Sequence, residues 1–353
     1  MNDKTRLRGG VVGLGLWGQN HALVYDDYER CDLRVVCDLD EDRAKGYAEL
    51  YKCDWTTKVA EVAHSDVQAV SVATPDHTHF DPVRLLVEAG KAVMVEKPLC
   101  TSLRQAATLE AIARKSGATV MVDFQNRWDP RHQIIKDLVT SGELGRIVMG
   151  YSRLSDAIQV AESWLKWAGH SGPQWFLLPH SVDIVRWILG QEPVEAYAVA
   201  SRGVLSAKGI DVIDSLQALI RFDNCFFTFE TSWIVPDSQP SVVDSILSIY
   251  GESGKVEYDQ DYQGLAVSST KYSYPWVPLG RRDYFGKLSH HLYEPMRHFV
   301  DCVLDAREVN CPIADGVVNT AVIEAIELSA SSGKPISITD MLVEARAAAA
   351  IND

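Results

Sequence analysis

Residues 9–27 read GGVVGLGLWGQNHALVYDD, an apolar run that passes directly into Gly13-x-Gly15-x-x-Gly18 and from there into a helical pattern. Glycines at this spacing permit a tight turn, a close approach of backbone to a pyrophosphate, and close helix packing, while the helix N-terminus offers free N–H donors. The motif alone is weak. Its place between a strand and a helix makes it a dinucleotide-binding turn.

Twenty residues after Gly18 the next apolar run, LRVVCD, closes on Asp38. A carboxylate there accepts hydrogen bonds from the adenosine ribose hydroxyls and repels a 2′-phosphate, which favours NAD. Arg43, on the helix that follows, keeps NADP as the second choice.

Working outward, VQAVSVAT (67–74), KAVMVE (91–96) and ATVMVDF (118–124) repeat the apolar-run signal, with amphipathic segments between them. This alternation predicts a doubly wound parallel sheet with helices on both faces, a Rossmann domain over residues 1–124. After the helical stretch 129–145 the runs lengthen: IVMGYSRL (147–154), VEAYAVASR (194–202), SLQALIRF (215–222), CFFTFETSWIV (225–235) and SILSIYGESGKVEYD (245–259). They predict an α+β second domain over 125–353 with a large, mainly antiparallel sheet, and C-terminal helices able to pack back on the first domain. WFLLPHSVDIVRWILG (175–190) is a helix with Gly190 as its cap, and two more helices follow near 290–305 and 316–332. Without a Pro/Gly/Ser linker the junction is expected to be tight, with the cleft between domains as the default site.

Composition narrows the partners. Acidic side chains outnumber basic ones 48 to 34, a formal charge of −14, which disfavours nucleic acid and anionic membranes. No stretch approaches the roughly 20 apolar residues of a membrane span. Seven scattered cysteines without a Cys-x-x-Cys pair point to a reducing cytoplasm rather than to disulfides or zinc. The expected partner is a small molecule.

With these motifs in place, the chain resembles the Gfo/Idh/MocA family of NAD(P)-dependent sugar and polyol oxidoreductases. The resemblance rests on GLGLWG (13–18), ATPDHTHF (73–80), EKPLCTS (96–102), DFQNRWDP (123–130), PHSVDIVRWILG (179–190) and VNTAVIEAIELSASSGKPISI (318–338), in that order. It implies that the cofactor lies against Gly13, Gly15, Leu16, Trp17, Gly18 and Asp38 at the first strands. Thr74, Pro75, His77 and His79 follow from the second motif, and Glu96, Lys97 and Gln125 from the next two. Glu96-Lys97-Pro98 looks like the family's signature, in which the lysine reaches the substrate hydroxyl and the nicotinamide ribose. A proline-rigidified turn at the carboxyl end of a parallel strand would aim Lys97 into the crevice.

Oxidising a secondary alcohol also needs a base for the hydroxyl proton. His180 is the candidate, and Asp183 on the same helical face at i+3 could orient it. The resemblance matches both to the family's catalytic stretch, but Phe176 stands where many members carry aspartate. Read without the resemblance, an isolated His-x-x-Asp is better taken as a core histidine and a helix-surface acid. His77 and His79, one residue apart, cannot share a helix face, so no metal site is expected. Trp164, Trp167 and Trp175 cluster before His180. A sugar platform built on Trp167, with Arg127 or Arg153 bonding hydroxyls, stands beside the plainer alternative of a core or subunit interface. Trp233 and Trp276 have no stronger claim.

The expected function is an NAD-dependent sugar or polyol dehydrogenase, forming a homodimer or homotetramer through the open face of its second sheet. Two alternatives stay open: a glycoside-cleaving enzyme working by transient oxidation, and a non-catalytic NAD(H)-binding sensor.

Overall fold

The computed structural model describes residues 6–260, 267–268, 272–273, 282–284 and 287–351. The chain divides into two compact units, residues 1–128, 281–320 and 344–353 in the first and residues 129–280 and 321–343 in the second. No single cut separates them.

The first unit alternates strand and helix: β1 (Leu7–Val12), α1 (Gly18–Asp27), β2 (Cys31–Cys37), α2 (Glu41–Tyr51), β3 (Asp54–Thr56), α3 (Val59–His64), β4 (Ala69–Val72), α4 (Phe80–Glu88), β5 (Ala92–Glu96), α5 (Leu103–Ser116) and β6 (Val120–Asp123). The strands are all parallel, in the order β3-β2-β1-β4-β5-β6. This is the doubly wound Rossmann order, whose chain reversal between β1 and β4 opens a crevice at the strands' carboxyl ends. Every residue of β4, β5 and β6 is buried. Helices cover both faces, so these strands are near-continuous apolar runs rather than alternating ones. Val93, Met94 and Val95 are fully excluded from solvent, each contributing roughly 1.5–3 kcal/mol relative to exposure.

The second unit opens with α6 (Pro130–Thr140), then β7 (Ile147–Asp156), α7 (Pro173–Phe176), α8 (Leu178–Leu189), β8 (Pro193–Ser201), β9 (Ser215–Phe222), β10 (Phe226–Ser232), β11 (Val243–Gly251) and β12 (Lys255–Asp259). These strands and the short strand Ile336–Ser337 make one sheet in the order β12-β11-β7-β10-β9-β8-(336–337). The spacing of the runs predicts antiparallel neighbours, and most pairs are; β7, however, sits between β11 and β10 and runs parallel to β10. α8 packs on β7 and β10 and ends at Gly190 in the left-handed region. On the outward positions of the sheet Met149, Tyr197, Val199, Leu219 and Phe226 are 40–61% exposed.

The chain then returns through α9 (Glu294–Leu304), α10 (Ile313–Ser332) and α11 (Ile338–Ile351). Within the first unit, this return closes the sheet's edge at β6. Val122 N donates to Cys311 O at 2.9 Å, Met121 bridges Pro312, and Arg127 donates to Asn310 O at 2.6 Å. A Cβ on Gly316 would stand 2.7 Å from Val122, so α10 begins in close contact with the last strand. Among the described residues, no helix is long and apolar enough to cross a membrane.

Candidate active site

The glycine turn is built with three different tolerances. Gly13 has φ +86, and a Cβ on it would lie 2.6 Å from Ala73 O; only glycine suits such a turn. A Cβ on Gly18 would overlap the Gly13 carbonyl oxygen, whereas one on Gly15 would meet nothing within 4 Å. The first and third glycines are therefore required by packing, and the second leaves open space where a diphosphate would approach. α1 begins there with no side-chain cap and no acid in its first turn, so its positive dipole end is available to an anion. Leu16 is 54% exposed beside it, and Trp17 is half-buried.

Asp38 follows β2 and is drawn toward the same turn. Its carboxylate accepts from Leu14 N at 2.7 Å and Asp40 N at 2.9 Å and pairs with Arg43 at 3.1 Å. Oδ1 already accepts from two donors, whereas Oδ2 accepts only from Leu14 and retains acceptor capacity for a ribose hydroxyl. Two further polar atoms at this carboxyl edge, Thr74 Oγ1 and Gln125 Oε1, are buried without a partner among the described residues. An open glycine cradle, an uncapped helix end and buried polar atoms awaiting partners fit a dinucleotide.

His79 is used differently from the sequence expectation. It is buried, with Nδ1 2.7 Å from Pro98 O and Nε2 2.8 Å from Thr74 O. Both ring nitrogens are thus engaged by backbone, and the ring staples the Lys97–Pro98 turn to the end of β4. Burial pushes its pKa down, against the two carbonyls that favour the charged ring. Pro75 is half-buried beside it, and His77 is exposed with Nδ1 3.5 Å from Asp76.

Lys97 leaves β5 buried, 6% exposed, and its peptide bond to Pro98 is cis. Under it lies a cluster with two members that the sequence reading missed. His21 of α1 is fully buried, its Nε2 3.1 Å from Glu96 Oε1 and 3.7 Å from Asp123 Oδ2. Glu96 and Asp123 are opposed in the parallel register of β5 and β6. Burial first, then the Glu96 charge and hydrogen bond, hold the Asp123 carboxyl well above the usual range. Glu96 is held below it: burial opposes this, but the His21 hydrogen bond and the charges of His21, Lys97 and His79 prevail. The three donor atoms lie within 4.8 Å of one another, a spacing that also suits a cation. The sequence signal was MVD echoing MVE, an acid closing an apolar strand.

Arg127 departs from its expected role as a substrate ligand. Only 6% exposed, it donates to Asn310 O and pairs with Asp315 at 2.9 Å, so its guanidinium holds the return of the chain in place.

In the second unit α8 carries His180, half-buried, and Asp183, 1% exposed. Pro179 near the helix start suits the first turn, where no N–H is needed. The loop before it is anchored by Glu327, whose Oε1 accepts from Gln174 Nε2 at 2.8 Å and Trp175 Nε1 at 3.0 Å. Phe176 lies with its ring centroid 5.9 Å from Trp167 and 5.6 Å from Trp233. Both Phe176 and Trp167 pack against a cluster that includes Val160, Leu177, Leu205 and the fully buried Trp233. Trp167 therefore gives much of its surface to packing, which departs from the sugar-platform expectation. Trp175 is buried, Trp164 is 49% exposed, and Trp276 lies outside the described residues. Arg153, on β7, pairs with Asp244 at 2.9 Å.

Comparisons with known proteins agree with this architecture. Residues 7–124 match the model of an oxidoreductase family with an NAD-binding Rossmann fold, and residues 132–257 match the GFO/IDH/MocA C-terminal domain. The inositol 2-dehydrogenase of Rhizobium meliloti is 26% identical over 340 residues, 94% of this chain and 99% of that protein. The D-apiose dehydrogenase of Paraburkholderia graminis is 22% identical over 362 residues, 97% of this chain and 92% of that one. Among solved structures, GenD2 from gentamicin A biosynthesis, in complex with NAD, superposes with a TM-score of 0.83 at 25% identity, covering 96% of this chain and 97% of that chain.

Proposed function

Because the chain belongs to the Gfo/Idh/MocA family of NAD-binding oxidoreductases, we propose that it transfers hydride between NAD and a secondary hydroxyl or ketone of a sugar, sugar derivative or cyclic polyol. The observation that carries this is Lys97, a buried lysine at the carboxyl end of β5, on the sheet edge that also bears the glycine turn, Thr74 and Gln125. The names of the inositol and apiose dehydrogenases support the substrate class.

Nicotinamide, when bound, supplies the hydride acceptor; the chain supplies the rest. Gly13, Gly15, Gly18 and the α1 N-terminus would hold the diphosphate, Asp38 the adenosine ribose, and Thr74 and Gln125 would satisfy cofactor polar groups. Lys97 acts as a cation that polarises the reacting hydroxyl, and His180, positioned by Asp183, takes its proton. With aspartate absent at 176, His180 carries this role without that carboxylate. Free thiols at all seven cysteines support a reducing, cytoplasmic setting, and the outward apolar face of the second sheet supports a homo-oligomer.

The test is NADH formation across a panel of inositols, aldoses and their derivatives. Lys97→Met is expected to retain NADH binding but lose roughly 10²-fold or more in turnover, the scale for removing a positioned acid or base. His180→Ala should lose as much, together with the rise of rate through the histidine pH range. No NADH from any member of the panel overturns the proposal; native turnover in His180→Ala, with the same pH limb, moves the base elsewhere.

A further inference from the structure

We propose that His79 is held as an imidazolium, with a proton on each ring nitrogen, and that this charged ring is the positioning residue that ties the Lys97–Pro98 turn to the end of β4. The proposal rests on the role given to Lys97 above and adds the group that fixes the turn carrying it.

The acceptors decide the number of protons. His79 is buried, with Nδ1 2.7 Å from Pro98 O and Nε2 2.8 Å from Thr74 O. Both are hydrogen-bond distances. A carbonyl oxygen only accepts, and a neutral imidazole carries one N–H and one bare nitrogen. In either neutral tautomer, one of the two contacts would set a nitrogen lone pair against a carbonyl oxygen. Turning the ring over offers no escape, because ring carbons would then stand well inside the roughly 3.3–3.6 Å of a C–H···O contact. Only the doubly protonated ring donates at both ends.

The surroundings carry balancing charge. Two buried acids act on the ring, Asp76 of the turn before it and Glu96 at the end of β5, and both favour the cation. Asp76 also faces the exposed His77 at 3.5 Å, and Glu96 lies 3.1 Å from His21 Nε2. β4 brings no charged side chain, and Lys97 follows Glu96 directly. On α4, Arg84 is paired with Asp81 and Glu88. α3 and α5, which pack on α4, keep their charged side chains exposed, apart from the half-buried Glu110, paired with Arg346. Burial, the largest influence on the ring, works against the cation, as does the α4 N-terminus. Neither supplies the second N–H that two carbonyl oxygens require.

The two ends of this staple belong to different parts of the site. Pro98 O lies in the turn that carries Lys97, and Thr74 O lies on the strand end at the cofactor edge. Without one of the N–H groups the two are no longer tied, and the lysine is set by its own turn alone.

Long-range ¹H–¹⁵N correlation of the histidine rings in cofactor-free wild-type protein at neutral pH reads the protons directly, with His79 assigned through its Cβ. An N–H on both ring nitrogens is expected, and one bare nitrogen overturns the charge. His79→Phe keeps a flat ring and removes both donors. Its kcat should fall roughly 10- to 100-fold, the scale of an ångström's misplacement of a reacting group, while NADH affinity changes little. Native kcat, or a loss shared equally with NADH affinity, overturns the positioning role. The ring readout needs no turnover: if Lys97→Met leaves activity untouched, the dehydrogenase role of Lys97 fails while the two nitrogens still judge the charge. If Lys97 is essential and His79 shows one bare nitrogen, the charge fails alone. Should His79→Phe not fold, the wild-type ring spectrum decides by itself.

Discussion

Gly15 and Gly18 are separated by two residues, yet alanine at each should do opposite things. At Gly15 a methyl group meets nothing within 4 Å, and the backbone there is in a region open to any residue, so Gly15→Ala should fold with native or slightly higher stability, by up to about 1 kcal/mol. Its methyl would occupy the ground over which a diphosphate approaches the α1 N-terminus. Losing one charge-assisted backbone hydrogen bond costs about 1.5–3 kcal/mol, so NADH affinity should fall roughly 10- to 150-fold. At Gly18 the methyl overlaps the Gly13 carbonyl oxygen. That obstacle is backbone, not the end of a flexible side chain, so turn and helix must separate. Overpacking of this kind costs about 1–3 kcal/mol, and Gly18→Ala should lower the unfolding midpoint by several degrees as well as weaken binding. Calorimetric titration with NADH and thermal unfolding without it separate the two effects. Wild-type NADH affinity in Gly15→Ala would refute the placement of the diphosphate.

Two further outcomes are expected. Asp38→Ala should narrow the preference for NAD over NADP in competitive binding, because it removes the ribose acceptor and frees Arg43 for a 2′-phosphate; equal affinity of the native protein for both cofactors would defeat this. Wild-type protein should be larger than a monomer by light scattering at micromolar concentration, and Val199→Glu with Leu219→Lys, on neighbouring outward positions of β8 and β9, should shift it toward monomer; a monomeric wild type would exclude association through this face.

The first sheet was legible because burial on both faces leaves an unbroken apolar run, and the strand ends then stand out as Asp38, Thr74 and Glu96. Lys97 was legible for the same reason. Asp123 stood in plain view at the end of VMVD, but its meaning depends on lying opposite Glu96, a pairing across α5 that local pattern does not encode. Arg127 shows the same limit: a lone arginine near a domain junction reads as a ligand until Asp315, 188 residues later, is seen to pair with it. His79 was found, but its role was not, since two backbone carbonyls leave no trace in side-chain chemistry. The insertion of β7 between β11 and β10 was invisible because strand runs reveal themselves and not their neighbours. Phe176 was conspicuous in sequence, and it took Trp167 and Trp233 to show that its site is apolar.

The closure of β6 by the returning chain has a consequence for biosynthesis. Arg127 and its acceptor Asn310 are 183 residues apart, so a ribosome adding about 5–20 residues per second releases the six-stranded parallel sheet roughly ten to forty seconds before the segment that covers its outermost strand. Through that interval Val120–Asp123 would present unpaired amide and carbonyl groups on an apolar ribbon, an invitation to pairing with other nascent chains. Domain-by-domain maturation in order of translation is therefore closed to this polypeptide: its first third waits, partly unfinished, for the segment around residue 310 to be made.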